Sequence, residues 1–281
     1  MISFHVQQDL CISCGLCVRD CPQSIIELKD DYPVVVNEEK CLRCGHCLAV
    51  CPQGAISVLG RHPSGSAALQ GNLPSHLHLE TLIKGRRSVR HYKDKDVDPG
   101  LLKELLDISS HAPTGTNSQK LLLTVLDKRE AVHAFREELY ARLNELVAKN
   151  ALPEHRRSNF FSIAARLWQE EGRDLIFRNA PHVLLVSNHV EASCVAQDPF
   201  IFMSYFELLA QSRGVGTVWC GLLYWALKEM LPEMLPRLDI PDDYTLDYAM
   251  LFGYPAFSYY RTVERDSAPV KMITWEKGSA N

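Results

Sequence analysis

The strongest constraint in this sequence is a run of four cysteines in eleven residues, closed by proline, that occurs twice. Cys11-Ile-Ser-Cys14-Gly-Leu-Cys17-Val-Arg-Asp-Cys21-Pro22 is followed thirty positions on by Cys41-Leu-Arg-Cys44-Gly-His-Cys47-Leu-Ala-Val-Cys51-Pro52, and each reads C-x2-C-x2-C-x3-C-P. The likeness runs past the prolines, Gln-Ser-Ile-Ile against Gln-Gly-Ala-Ile, so the segment is an internal duplication. Of the ten cysteines, only Cys194 and Cys220 lie outside it. A disulfide scaffold would call for a secretory signal, but the first ten residues are polar and charged where a signal needs an apolar stretch. Clustered cysteines without that signal read as metal ligands. Zinc sites usually pair two C-x2-C units across a longer stretch, so this crowding argues against zinc.

Three thiolates at spacing three, on a loop that Gly15 or Gly45 lets curl, reach three corners of one cubane. The fourth ligand has to come from elsewhere. The segment resembles the bacterial two-cluster ferredoxins, in which the cysteine before proline ligates the partner cluster. That resemblance implies two [4Fe-4S] clusters, one on Cys11, Cys14, Cys17 and Cys51, the other on Cys41, Cys44, Cys47 and Cys21. Such an exchange staples the two halves of a module whose core is small, so metal loss is expected to unfold it. Residues 24–28 and 33–36 read as strands flanking the acidic turn Lys29-Asp-Asp-Tyr32.

Beyond the repeat, residues 60–78 are rich in Gly, Ser and Pro and lack a sustained apolar period, which marks a linker. The sequence therefore divides into a module over residues 1–59 and a second domain over residues 79–281. Leu79, Leu82 and Ile83 begin a helical pattern. Asp98-Pro99 places an N-cap and an N1 proline before Leu101, Leu102, Leu105 and Leu106. Arg129–Ala148 repeats apolar residues at steps of three and four, and Asp198-Pro199 opens a further helix running to Gly214. Leu121–Leu126 and residues 183–186 and 248–252 read as strands, giving an α+β domain with helices predominating. Lys plus Arg number 30 against 34 Asp plus Glu, so no overall basic surface points to nucleic acid or an acidic membrane. With no apolar run long enough for a membrane span either, a cytoplasmic protein is expected.

No G-x-G-x-x-G, H-E-x-x-H or G-x-S-x-G occurs in a fitting context. Arg86-Arg-Ser-Val-Arg-His-Tyr-Lys93 instead gathers four fixed cations and a hydroxyl, a set suited to a terminal phosphate. Taken alone it is equally a solvated basic face. The polar loop Ser110-His-Ala-Pro-Thr-Gly-Thr-Asn117-Ser-Gln119 offers, in Asn117, both a carbonyl and an amide to the pyrimidine edge of a flavin. These two motifs, with Gly214-Val-Gly-Thr-Val-Trp-Cys-Gly221 and Phe252-Gly-Tyr-Pro255, occur in the order and approximate spacing of the nitroreductase family of FMN enzymes, which residues 79–265 resemble.

The resemblance implies an α+β sandwich that forms a homodimer with FMN at the subunit interface. It places Arg86, Ser88 and Arg90 at the phosphate end, with Arg87 kept in the same cationic run. Asn117 falls at the ring, the backbone of Cys220 and Gly221 near it, and Arg261 at the phosphate from the C-terminal side. Lys120 stands where many relatives have proline. The Cys220 side chain reads as a buried residue of an apolar stretch rather than a redox thiol, and no histidine has a partner at ligand spacing. A flavin exchanges electrons singly or in pairs, so it joins one-electron clusters to a two-electron acceptor. The expected function is electron flow from a low-potential donor, reduced ferredoxin or NAD(P)H, through both clusters to FMN and on to a small organic acceptor such as a nitro compound. Enones, quinones and halogenated compounds are alternative acceptors. An electron-transfer or redox-sensing partner protein without small-molecule turnover is an alternative of another class.

Overall fold

The computed structural model describes residues 2–275. In the N-terminal module, β1 (Phe4–Val6) pairs antiparallel with β4 (Ile56–Val58), bringing its two ends together. Between them, β2 (Ile26–Lys29) and β3 (Tyr32–Val35) form a hairpin whose two turn residues, Asp30 and Asp31, have φ of 47° and 66°, as a tight hairpin turn of this hand requires. The strand expected from residue 24 starts at Ile26 because Ser24, at φ 50°, is left-handed and donates its N–H to the Cys21 carbonyl. Each cysteine run curls into one helical turn, α1 (Leu16–Arg19) and α2 (His46–Ala49), that follows a left-handed glycine. The buried apolar set is small: Cys17, Ile25, Ile26, Pro33, Ala55, Ile56 and Val58.

The second domain begins with α3 (His76–Gly85), capped by Ser75 Oγ accepting from the His78 N–H at 3.3 Å. This helix takes up residues 76–78 of the stretch read as linker, and Pro63–Gly65 forms a single 3-10 turn within the rest. There follow α4 (Pro99–Ser109), β5 (Leu121–Leu126), α5 (Arg129–Ala148), α6 (Ser158–Glu171), β6 (His182–His189), α7 (Asp198–Ser212), β7 (Gly216–Trp219), α8 (Gly221–Trp225) and β8 (Tyr244–Gly253). Asp98 Oδ1 accepts the Leu101 N–H at 2.9 Å, so α4 starts where its cap and proline direct it.

The four strands of this domain form one antiparallel sheet in the order β5-β6-β8-β7. Alternate side chains of a strand point to opposite faces, and here both faces are covered. Val183, Leu185, Ala249 and Leu251 pack with Leu139, Tyr140 and Phe161 of α5 and α6, while Leu184, Val186, Met250 and Phe252 pack with Leu105, Phe202 and Phe206 of α4 and α7. A helix–sheet–helix sandwich results. Burial on both faces explains why β6 is an unbroken apolar run at its centre rather than an alternating one.

His182, fully buried at the start of β6, accepts the Val97 N–H on Nε2 at 2.8 Å and stacks on Phe252. Burial holds its pKa below the ordinary histidine value. The unfolded chain therefore binds a proton before the folded one as the pH falls. The stabilising contribution is complete above about pH 6.5 and lost below it. Between pH 7 and 5.5 the thermal midpoint should fall further in the wild type than in His182→Gln, and equal slopes would contradict this assignment.

Candidate redox site

Two cysteine-lined cavities lie in the N-terminal module. Cys11, Cys14, Cys17 and Cys51 line one, and Cys21, Cys41, Cys44 and Cys47 line the other. Each draws three cysteines from one repeat and the fourth from its mate. Leu28, Pro33 and Ile56 give the first cavity apolar walls, and Phe4, Ile25, Val35 and Val58 do so for the second. Backbone donors already face two sulfurs, Ala55 N–H to Cys51 Sγ at 3.2 Å and Arg43 N–H to Cys41 Sγ at 3.4 Å, and hydrogen bonds of this kind tune cluster potentials. Burial raises the Cys17 thiol and pushes that of Cys47 up to about 11, so a metal entering there has to displace protons. Among the described residues, no three Cys, His, Asp or Glu side chains converge as a single ion would need. Sulfurs spread around a cavity suit a polynuclear cluster better than one tetrahedral zinc.

In the second domain the arginine-rich run lies alongside β7. Ser88 bridges to Thr217 in parallel fashion, and the Val89 N–H donates to the Thr217 carbonyl at 2.8 Å. This approach requires glycine at position 216, where an added Cβ would meet Val89 Cγ2 at 2.4 Å and Pro255 Cγ at 2.9 Å. Arg86 is placed on a carboxylate: its Nη1 lies 3.1 Å from Oε1 of the buried Glu207, which also accepts from Thr217 Oγ1 at 3.3 Å, while Ser88 Oγ is 3.5 Å away. Arg90 Nη1 donates to the Ser88 carbonyl at 3.2 Å. Arg87 binds the Arg86 carbonyl through Nη1, but its Nη2 is buried with no partner. An unpaired buried donor is costly unless a ligand satisfies it. The exposed Arg261 lines a groove together with Val89, Gly216 and Pro255, at the edge of the same run.

Asn117 ends a one-turn 3-10 helix, Gly115–Asn117, and adopts φ 55°, a conformation that asparagine tolerates better than most residues. The turn is pinned by the Gly115 N–H on Oδ1 of the buried Asp198 at 2.9 Å, and by the Gln119 N–H on Thr114 Oγ1 at 3.0 Å. Asn117 Nδ2 donates to the Leu42 carbonyl of the cysteine module at 2.9 Å. The distance in sequence, 75 residues, left that contact without any local signal.

Cys220 caps α8. Its N–H donates to the Ala249 carbonyl at 2.8 Å, its thiol donates to the Ile176 carbonyl at 3.3 Å and accepts the Leu223 N–H at 3.4 Å, and burial pushes the thiol up to about 11. Thiolates are the reactive species, so the native protein should resist alkylation at Cys220 at pH 8 and react there only after unfolding, as peptide mass mapping would show. Rapid labelling of the folded chain at this position would refute the packing reading. Beside it, Trp219, Tyr224 and Tyr248 form an aromatic cluster with Phe200, with ring centroids 5.1–5.8 Å apart. Scattered over α7, β7, α8 and β8, these rings were not singled out from the sequence.

Residues 83–254 match the family model described as the nitroreductase family, and residues 10–55 match a 4Fe-4S dicluster domain. A chloronitrobenzene nitroreductase of Comamonas testosteroni is 26% identical over 207 residues, and a nitrobenzene nitroreductase of Ectopseudomonas oleovorans 24%; each match takes in 65% of this chain and 88% of the relative. Among solved structures, a nitroreductase with bound FMN from Bacteroides fragilis shares the fold at a TM-score of 0.54 and 20% identity, over 71% of this chain and 100% of its own. A nitroreductase with bound FMN from Desulfitobacterium hafniense gives 0.53 and 22%, over 70% and 100%.

Proposed function

Because the chain belongs to the nitroreductase family, we propose that it is an FMN-dependent oxidoreductase fed with electrons by two [4Fe-4S] clusters in its own N-terminal module. The observation that carries this reading is the pair of four-cysteine cavities in a module hydrogen-bonded, through Leu42 and Asn117, to the nitroreductase domain. Cys11, Cys14, Cys17 and Cys51 hold one cluster, and Cys21, Cys41, Cys44 and Cys47 the other. Arg87 Nη2, the buried donor without a partner, fits the phosphate of FMN, with Ser88, Arg90 and Arg261 around it. Asn117 orients the ring edge, and the backbone at Cys220 and Gly221 flanks it. Arg86 supports this run through Glu207. FMN supplies the exchange between single electrons and electron pairs.

The acceptor is a small organic molecule of the nitroaromatic class. The names of the two relatives support this, and the faces of Phe200, Trp219 and Tyr248 offer a stacking surface for a planar ring. Two electrons and two protons turn a nitro group into a nitroso group and water. The electrons come from a reduced iron–sulfur protein and the protons from solvent. The chain works as a homodimer in the cytoplasm, where thiolates stay reduced. No helix of the described residues is long and apolar enough to cross a membrane.

The test is anaerobic turnover of nitroaromatic, enone, quinone and halogenated acceptors with either reduced ferredoxin or NADPH as donor. Nitroaromatic reduction sustained by reduced ferredoxin is the expected result. Rapid flavin reduction by NADPH with none by ferredoxin would overturn the donor assignment. Absence of any turnover in cluster- and flavin-replete protein would favour a role as electron-transfer partner.

A further inference from the structure

The duplicated cysteine segment carries its own internal control. Ile12 and Leu42 hold the same place in their repeats, as do Cys14 and Cys44. Ile12 is 61% exposed and Cys14 is exposed, whereas Leu42 and Cys44 are half-buried. Within the loops the difference is confined to those two positions, because Ser13 and Leu16 are half-buried where Arg43 and His46 are exposed, and Cys17 is buried where Cys47 is half-buried. At the first of them the second loop meets Asn117, whose Nδ2 binds the Leu42 carbonyl at 2.9 Å. Among the described residues the Ile12 carbonyl accepts no such hydrogen bond. Asn117 is itself held in place by a turn tied to the buried Asp198. With Nδ2 committed to Leu42, its Oδ1 remains for the ring edge of the flavin.

We propose that loop 41–47 is the wall through which the iron–sulfur module meets the flavin. The cluster of Cys21, Cys41, Cys44 and Cys47 is then the one that gives electrons to FMN, and the cluster of Cys11, Cys14, Cys17 and Cys51 receives them from outside. The inference rests on the function proposed above. Each two-electron reduction of the acceptor draws two single electrons in succession from a reduced iron–sulfur protein at the first loop, where Ile12 and Cys14 are exposed, and two protons from solvent.

Hydrogen exchange on anaerobically purified holoprotein, before and after FMN is stripped, tests the wall directly. Amides of residues 41–47 should exchange at least about threefold faster without FMN, and those of residues 11–17 should not change. No change at 41–47, or an equal change in both loops, overturns the proposal. Protein that holds no FMN when isolated would instead defeat the underlying function. Asn117→Asp, nearly isosteric but without the donor, is the second arm. Mixed with reduced ferredoxin, FMN-bearing Asn117→Asp should bleach its flavin at least about tenfold more slowly than the wild type, with its clusters reduced at the wild-type rate. Flavin bleaching at the wild-type rate would overturn the proposal, and a variant that loses FMN leaves the decision to the exchange experiment on stripped wild type.

Discussion

Removing iron from the anaerobically purified chain is expected to unfold residues 2–59 while the second domain keeps its own melting transition. The strands of the module are three or four residues long and pair only in twos. Two-stranded pairings of this size are marginal in water, and seven buried apolar side chains do not make a core that can replace the metal. Under the proposed ligation the exchange joins the halves, since Cys51 lines the cavity of the first repeat and Cys21 that of the second. Iron removal should therefore raise amide exchange throughout the module by about a hundredfold or more. Retention of native protection after chelation would show that the β1–β4 and β2–β3 pairings suffice without metal. The crossing has its own signature. Cys21→Ala and Cys44→Ala should abolish the same cluster signal in electron paramagnetic resonance, whereas Cys21→Ala and Cys17→Ala should abolish different ones.

Arg86→Ala is expected to destabilise the second domain by up to about 3 kcal/mol, the low end for stranding one member of a buried ion pair, because Arg86 itself is partly exposed. The side chains of Arg86 and Glu207 are 23% and 9% exposed, and without the guanidinium the carboxylate keeps, among the described residues, the Thr217 hydroxyl. Glu207→Gln in the Arg86→Ala background should recover part of the loss, because the uncompensated charge goes with it. Denaturation of flavin-free protein is the measurement that separates this from a phosphate role. If Arg86 served phosphate alone, Arg86→Ala would weaken FMN binding and leave the flavin-free midpoint unchanged.

Local signals in the sequence carried the elements that are locally determined. The 3.6-residue period over Arg129–Ala148 coincides with α5, the Asp98-Pro99 pair with the start of α4, and the apolar run Leu121–Leu126 with β5. The central strands were legible only at their apolar centres. β6 extends through Ser187, Asn188 and His189 and β8 back to Tyr244, because pairing along the whole of both strands recruits polar residues that have little strand preference of their own. α6 lacks a capping signal at its start, where Arg157 makes no side-chain capping hydrogen bond, although Phe161, Ala164, Ala165 and Trp168 fall on one face. β7 has only four residues and opens on Gly216.

The same division holds in the site. The cysteines of each repeat were readable because they are contiguous and their residue type has few other uses in that pattern. Glu207, the partner of Arg86, lies 121 residues away and nothing in the sequence joins them. The Leu42 contact of Asn117 and the cluster of Phe200, Trp219, Tyr224 and Tyr248 exist only once the sheet and α7 are assembled.

The proposed electron path requires iron–sulfur clusters and a flavin held together in one chain. Anaerobic purification followed by iron, sulfide and flavin analysis measures this most directly. About eight iron atoms, about eight sulfides and about one FMN per chain are the predicted contents. Zinc in place of iron, or protein without flavin, would contradict it.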